Sequence, residues 1–532
     1  MINSVRGTRG IAVAPHSTAA QAALHVMREG GNALEAMIAA AATIAVVYPH
    51  MNGIGGDSFW LVYAPGRKPR GIEACGAAAG AASREWYEAR GITGSIPFRG
   101  GVAANTVAGT ISGWDMAFAL SRKWGGRLPL KRLLADAIHY AEHGIAVTRS
   151  QAYATATKCA ELKPQPGYAR AYLPEGAVPA EGSIFKQPRM AETLRRLARG
   201  GLAGFYRGRL AKSMARDLAA AGSPLTIDDL AAHRAMLVAP LELRHSLATI
   251  YNLPPPTQGV VSLLILGILD ALGIDRVGAA SPDFVHLAVE ATKQAFAIRD
   301  RHVTDPEYMT TDAQTWLAPE RIRQLAAKVN PKKASPWGAG RPPADTVWMG
   351  VVDDAGRAVS MIQSLYHEFG AGVVLEESGV NWQNRGCSFS LDPNALNFLR
   401  PGRKPFHTLN TALAVFNDGR TMVYGTMGGD GQPQTQSAVF TRVASFGLNP
   451  QAAVSAPRWL LGRTWGQTSD TLKVEARFPG GVLMALGKLG HEIEVLQDYD
   501  EVMGHAGAIV RHPNGVLEGG ADPRSDGAVA AY

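Results

Sequence analysis

Cysteine is scarce in this chain of 532 residues. Cys75, Cys159 and Cys387 lie far apart, are odd in number and lack metal-ligand spacing. That excludes a disulfide framework and a zinc module, and suits a reducing compartment. Long hydrophobic runs are missing too. The longest, Ala36 to Val47, is too short to span a bilayer and adjoins Glu35, so it reads as a buried helix. No apolar stretch follows the basic residues of Met1-Ile-Asn-Ser-Val-Arg-Gly-Thr-Arg-Gly, so no secretory signal is expected. A soluble cytoplasmic protein without a membrane partner is the expectation. Charged residues make up only 18%, and the net charge of +8 is spread along the chain. With no arginine-rich run interleaved with aromatics, a solvated basic surface is expected and a nucleic-acid partner is not. Gly-x-Ser-x-Gly, His-Glu-x-x-His and the Walker loop are all absent, and His367-Glu368 has no second histidine. Neither a metal nor a cofactor is expected.

What is present is a compact globular composition, 46% hydrophobic, with 59 glycines and 32 prolines for many tight turns. The length allows two or three domains or one large layered one. Residues 17 to 47 predict a helix pair: Ser17 caps the first, Gly30-Gly31 ends it, and Asn32 caps the second. Pro49 stops that helix, and Gly53–Asp57 turns into a strand over Ser58–Tyr63. From about 125 to 330 helical periodicity dominates, as in Leu130–His143, Arg189–Arg199 and Pro282–Arg299. Leu241–Leu253 reads as one strand before a triple-proline turn. After Asn330 the character changes. Residues 331–345 hold four prolines and two glycines and cannot be regular structure. Strands are predicted beyond, over Thr346–Val352, Ala358–Ser364, Gly372–Leu375, Thr411–Phe416 and Met422–Thr426. Helices segregated onto antiparallel sheets point to α+β layering.

One hairpin carries the chemistry. Two β-rich runs flank Asp353-Asp-Ala-Gly-Arg357, a short loop with Asp and Gly. If five residues close it, 352 faces 358 and Thr346 stands opposite Ser364, with Cβ atoms about 5 Å apart. A threonine hydroxyl is a poor nucleophile until a base takes its proton. A chain-terminal threonine supplies that base through its own α-amine, which titrates at about 7.7–8.0 when unperturbed. An internal threonine has no such amine. The chemistry therefore requires a cut just before Thr346, and the Pro-rich stretch ending at Asp345 offers an accessible place for one.

Several blocks, in order, resemble the γ-glutamyltranspeptidase family over nearly the whole chain. They are Ala14-Pro-His-Ser-Thr-Ala-Ala-Gln, Pro49-His-Met-Asn-Gly-Ile-Gly-Gly56, Asn105-Thr-Val-Ala-Gly-Thr-Ile-Ser-Gly-Trp114, Pro254-Pro-Pro-Thr-Gln-Gly259 and Ala521-Asp-Pro-Arg-Ser525. The resemblance implies a four-layer αββα sandwich of the N-terminal-nucleophile hydrolases. It also implies self-cleavage between Asp345 and Thr346 into a helix-rich large subunit, 1–345, and a strand-rich small subunit, 346–532. These would stay together as a heterodimer or a dimer of heterodimers. By position, Thr346 is the nucleophile and Ser364 takes the place of a threonine that hydrogen-bonds it. Gly428 and Gly429 match the pair whose N–H groups hold the oxyanion, and Arg84 matches the arginine that grips the substrate carboxylate.

The chain departs from that family where a γ-glutamyl ammonium group would bind. An Asn, a Gln and an Asp there are replaced by Tyr366, Arg385 and Ser388, and a serine pair by His407-Thr408. The acceptors are lost and a positive charge has arrived, which repels an ammonium group. Tyr366, with Trp382, adds bulk. These changes suit a short carboxylate-bearing amide without an amine. The blocks Gly350–Gly370 and Gly425–Gln434 resemble the family's oxamate amidohydrolase branch, which implies oxamate as substrate, with oxalate and ammonia as products of purine-nitrogen salvage. Competing expectations are a γ-glutamyl hydrolase or transferase, and an uncleaved binding protein of the same fold.

Overall fold

The computed structural model of the chain describes residues 3–338, 345–463 and 469–532, apart from the side chain of Asp345. Among these residues two antiparallel sheets of seven strands each carry the architecture. The first runs Val5–Gly7, Leu517–Ala521, Ala506–Arg511, Thr421–Thr426, Ala412–Phe416, Ala248–Asn252 and Leu241–Arg244. The second runs Ala528–Ala531, Gly10–Ala14, Asp345–Asp353, Ala358–Tyr366, Asp57–Tyr63, Arg70–Ala74 and Met236–Val238.

Two-residue alternation decides which way each strand faces. Val347, Met349 and Val351 join the core under one helix layer, while Trp348 and Val352 join the core between the sheets. Trp60 and Val62 divide from Phe59 and Leu61 in the same way. The helix Ala33–Val47 is buried along its whole length, which explains why it is apolar on every side. On the far face of the first sheet lie Gly259–Ala271, Pro282–His302 and Gly431–Ala444, which build the third core. The layers run helix, sheet, sheet, helix, so the expected α+β sandwich is what forms.

The inner hairpin is tied down at its turn. Asp353 Oδ1 accepts from the Arg357 N–H at 3.0 Å and its Oδ2 accepts from Arg357 Nε at 2.7 Å. Asp353 Oδ2 also accepts from the Ala33 N–H at 3.0 Å, which docks the turn on the N-terminus of the buried helix. Gly356 supplies the positive φ of 73° that the turn needs.

Some local expectations are corrected. The first helix is capped by His16, whose Nδ1 accepts from the Thr18 N–H, and not by Ser17. Asn32 does cap the second, in a capping box with Glu35. Leu241–Leu253 is a hairpin rather than one strand, because Ser246 turns the chain and bonds Asp270 through both its N–H and its hydroxyl. Gly372–Leu375 is no strand, since Gly370 and Gly372 take positive φ and only Val374 makes a bridge. Leu130–His143 is interrupted at Leu134. The helix-heavy part before 345 and the strand-rich part after it interleave in the second sheet. Asp345–Asp353 pairs with Gly10–Ala14, and Ala358–Tyr366 pairs with Asp57–Tyr63. Residues 339–344 of the Pro-rich stretch lie outside the described residues.

Candidate active site

The hairpin register holds as predicted from Val352↔Ala358 down to Val347↔Gln363, and then shifts, because the next pair is Asp345↔Tyr366. Thr346 therefore stands opposite a bulge, facing Ser364 and Leu365 together instead of Ser364 alone. A bulge re-aims a side chain, and such irregularities concentrate beside active sites. The strand continues into strain: Tyr366 takes a φ of 84°, in the left-handed region that a bulky residue avoids. The Ser364 hydroxyl accepts from the Tyr366 N–H at 2.8 Å and helps to hold that conformation. Behind it runs the glycine loop. A Cβ at Gly56 would lie 1.9 Å from the Ser364 carbonyl oxygen, so only glycine allows the approach.

Thr346 is fully buried, and its Oγ1 faces the first turn of the helix Gly431–Ala444, where Gln432 Nε2 lies 3.5 Å away. Gly428 and Gly429 make the turn between strand Thr421–Thr426 and that helix, with φ of 112° and 52°. Gln258 braces this turn, because its Nε2 donates to the carbonyls of Gly429 and Thr408, each at 2.8 Å. Arg299 holds Gln258 Oε1 at 3.0 Å and the buried Asp430 carboxylate at 2.8 and 3.2 Å. The glycine pair is thus fixed from behind by buried, paired groups.

Arg385 is also buried. Its guanidinium stacks 3.6 Å over the Tyr366 ring and donates to Thr408 Oγ1 at 3.1 Å and the Phe406 carbonyl at 3.2 Å. No carboxylate forms an ion pair with it among the described residues. Burial pulls its pKa below the usual arginine value, opposed by Tyr366 and Asp57. Asp57 pairs in register with Ser364, and its Oδ1 accepts from Gly76, Gly109 and Gln383. Burial raises the Asp57 carboxyl to about 7 against the pull of those bonds and of Arg385. Its other oxygen, Oδ2, lies 3.7 Å from His407 Nε2. Burial, then Arg385 and Lys404, keep His407 well below its ordinary value and therefore neutral. Asp57 Oδ2 and both His407 nitrogens are buried without a hydrogen-bond partner among the described residues. Orphaned polar atoms beside an unpaired guanidinium are what a polar ligand would satisfy.

Most of the residues singled out in the sequence therefore meet. Thr346, Ser364, Tyr366, Arg385, His407, Thr408, Gly428 and Gly429 form one connected neighbourhood. Arg84 is not tied into it: at the start of the short helix Arg84–Glu88 it bonds Glu88 at 2.6 Å, with a side chain 43% exposed. Trp382 is buried and donates to the Thr106 carbonyl. Sequence reasoning missed Asp57, Gln258 and Gln432. Gln432 lay inside the block Gly425–Gln434, but a neutral carboxamide in the first turn of a helix gives no titration or spacing signal. Elsewhere, His286, Glu290 and His491 bring potential metal-ligand atoms within 4.8 Å of one another. Lys293 Nζ sits 2.6 Å from Glu290 and already supplies the positive charge, while His286 bonds His491 and the Asn330 carbonyl. That cluster fastens the root of the Pro-rich stretch.

Comparison with known proteins agrees with this fold. The sequence profile described as Gamma-glutamyltranspeptidase matches residues 19–532. The oxamate amidohydrolase proenzyme of Klebsiella pneumoniae subsp. pneumoniae is 58% identical over 533 aligned residues, covering 100% of each chain. A glutathione hydrolase-like proenzyme of Bacillus subtilis is 39% identical, covering 99% of each. The crystal structure of a cephalosporin acylase from Bacillus halodurans superposes with a TM-score of 0.91 at 34% identity, over 100% of this chain and 97% of that one. With the sandwich and these full-length likenesses together, the chain belongs to the gamma-glutamyltranspeptidase family and is an amide hydrolase.

Proposed function

We propose that the chain matures by cutting itself between Asp345 and Thr346, and that the resulting enzyme hydrolyses oxamate to oxalate and ammonia. The fragments are 1–345 and 346–532. The new α-amine of Thr346 takes the proton from its own hydroxyl, and Oγ1 attacks the amide carbon. The N–H groups of Gly428 and Gly429 receive the oxyanion, and ammonia leaves with the proton. Water then hydrolyses the acyl-threonine ester, releasing the acid and restoring the hydroxyl. Ser364 shares the bulge and fixes the strand beneath the nucleophile.

The observation that carries the substrate is Arg385. A buried guanidinium with no carboxylate partner among the described residues is costly, and an anionic substrate removes that cost. In this reading Arg385 and Thr408 receive the carboxylate, Tyr366 closes one side, and His407 with Asp57 meets the amide end. Arg84, bonded to Glu88 and half-exposed, has no part in it. The relative named an oxamate amidohydrolase proenzyme supports both the substrate and the maturation. Ammonia release from oxamate, measured beside aniline release from a γ-glutamyl anilide, tests the choice. Faster turnover of the anilide would overturn the substrate reading.

A further inference from the structure

A set of buried carboxamides lies directly behind the nucleophile. Gln432 Oε1 accepts from the main-chain N–H of Asn410 at 3.2 Å and from Asn410 Nδ2 at 3.2 Å. A backbone N–H can only donate, so the atom facing it is the oxygen and Nε2 is left facing Thr346 Oγ1. Asn410 is itself fixed. Its Nδ2 donates to the Thr408 carbonyl at 3.1 Å, and its main-chain carbonyl accepts from Gln436 Nε2 at 3.0 Å. Gln436 Oε1 in turn accepts from Ser262 Oγ at 2.9 Å and Asn252 Nδ2 at 3.2 Å. Gln432, Asn410, Gln436, Asn252 and Ser262 are all completely buried. A network this fully bonded sets one amide direction, and that direction ends on the reacting oxygen.

We propose that Gln432 is a catalytic residue that donates its Nε2–H to Thr346 Oγ1 and carries the negative charge developing there whenever the acyl-threonine ester breaks. That event occurs twice. In self-cleavage Oγ1 bonds the Asp345 carbonyl carbon, the C–N bond breaks and the amine takes the hydroxyl proton. Water then adds to the ester, the C–Oγ1 bond breaks, and Oγ1 regains a proton. In turnover the same ester forms on the substrate acyl group as ammonia departs, and water breaks it in the same way. In both, Oγ1 is the leaving atom of the hydrolytic step, and a donor already facing it at 3.5 Å has only a few tenths of an ångström to close. The proposal rests on Thr346 as nucleophile and not on which amide is the substrate.

The test uses the full-length precursor of the wild type, Gln432→Leu and Gln432→Glu, followed by denaturing gel for self-cleavage and by mass spectrometry of the small fragment during turnover. Gln432→Leu is expected to slow both processes about tenfold, the size of one neutral hydrogen bond, and to accumulate acyl-threonine. Gln432→Glu can donate only when protonated, which burial favours. Its rate relative to wild type is expected to rise as the pH falls from about 8 to about 5, a change that a packing defect would not produce. Gln432→Leu rates within about twofold of wild type overturn the proposal. So does a Gln432→Glu ratio that stays flat with pH, which decides the matter should the leucine variant fail to fold. A wild type that cleaves itself but spares oxamate overturns the substrate reading alone. A wild type that never cleaves overturns both.

Discussion

At the scale of single residues, the site is built from groups whose ordinary chemistry has been shifted by burial. Arg385 is the clearest case. Replacing it with alanine removes the carboxylate's charged partner, so KM for oxamate is expected to rise about 10- to 100-fold. Arg84→Ala should change KM less than about threefold, because an exposed pair with Glu88 is worth little. Steady-state kinetics on the two variants separates these roles. Asp57 gives a second test, through pH. Its carboxyl titrates at about 7 in the folded chain, up from 3.8, so the folded state holds that proton more tightly than the unfolded state does. Stability from this group is therefore complete below the unfolded value and is lost as pH rises through about 7. Asp57→Asn keeps the shape without the titration. Its melting temperature should exceed the wild type's by more at pH 8 than at pH 5, and an equal gap at both would count against the buried carboxylate.

At the scale of elements, the hairpin and the two turns facing it position the chemistry. The glycine loop passes so close to the nucleophile hairpin that Gly56→Ala should cost roughly 3 kcal/mol or more, as overpacking against the Ser364 backbone does. Denaturant unfolding of the variant measures it. Much of this level was legible in the sequence. The β-rich runs on both sides of the short loop Asp353–Arg357 gave the hairpin and most of its register, and Asn32 gave the second helix start. The bulge at Ser364-Leu365, opposite Thr346, was not legible, because nothing in Gln363-Ser364-Leu365 differs from a regular strand. It arises where the chain meets the glycine loop and the strained Tyr366. The hairpin within Leu241–Leu253 could have been read from its polar turn, Arg244-His245-Ser246. The support behind Gly428-Gly429 could not, since Gln258, Arg299 and Asp430 come from three distant segments.

At the scale of the whole molecule, no line through the fold separates residues before 345 from those after it. Each sheet draws strands from both sides of that bond. Cutting it should leave the sandwich whole, so the two fragments are expected to co-elute on size exclusion and to separate only in denaturant. Everything then depends on whether Thr346 makes its own terminus. The most direct measurement is N-terminal sequencing of the fragments from purified wild type and Thr346→Ala, with amide turnover assayed on the same samples. The wild type should yield a fragment beginning Thr346-Val347-Trp348, while Thr346→Ala stays full length and inactive. A Thr346→Ala protein that still divides before position 346 and still turns over substrate would contradict the central claim.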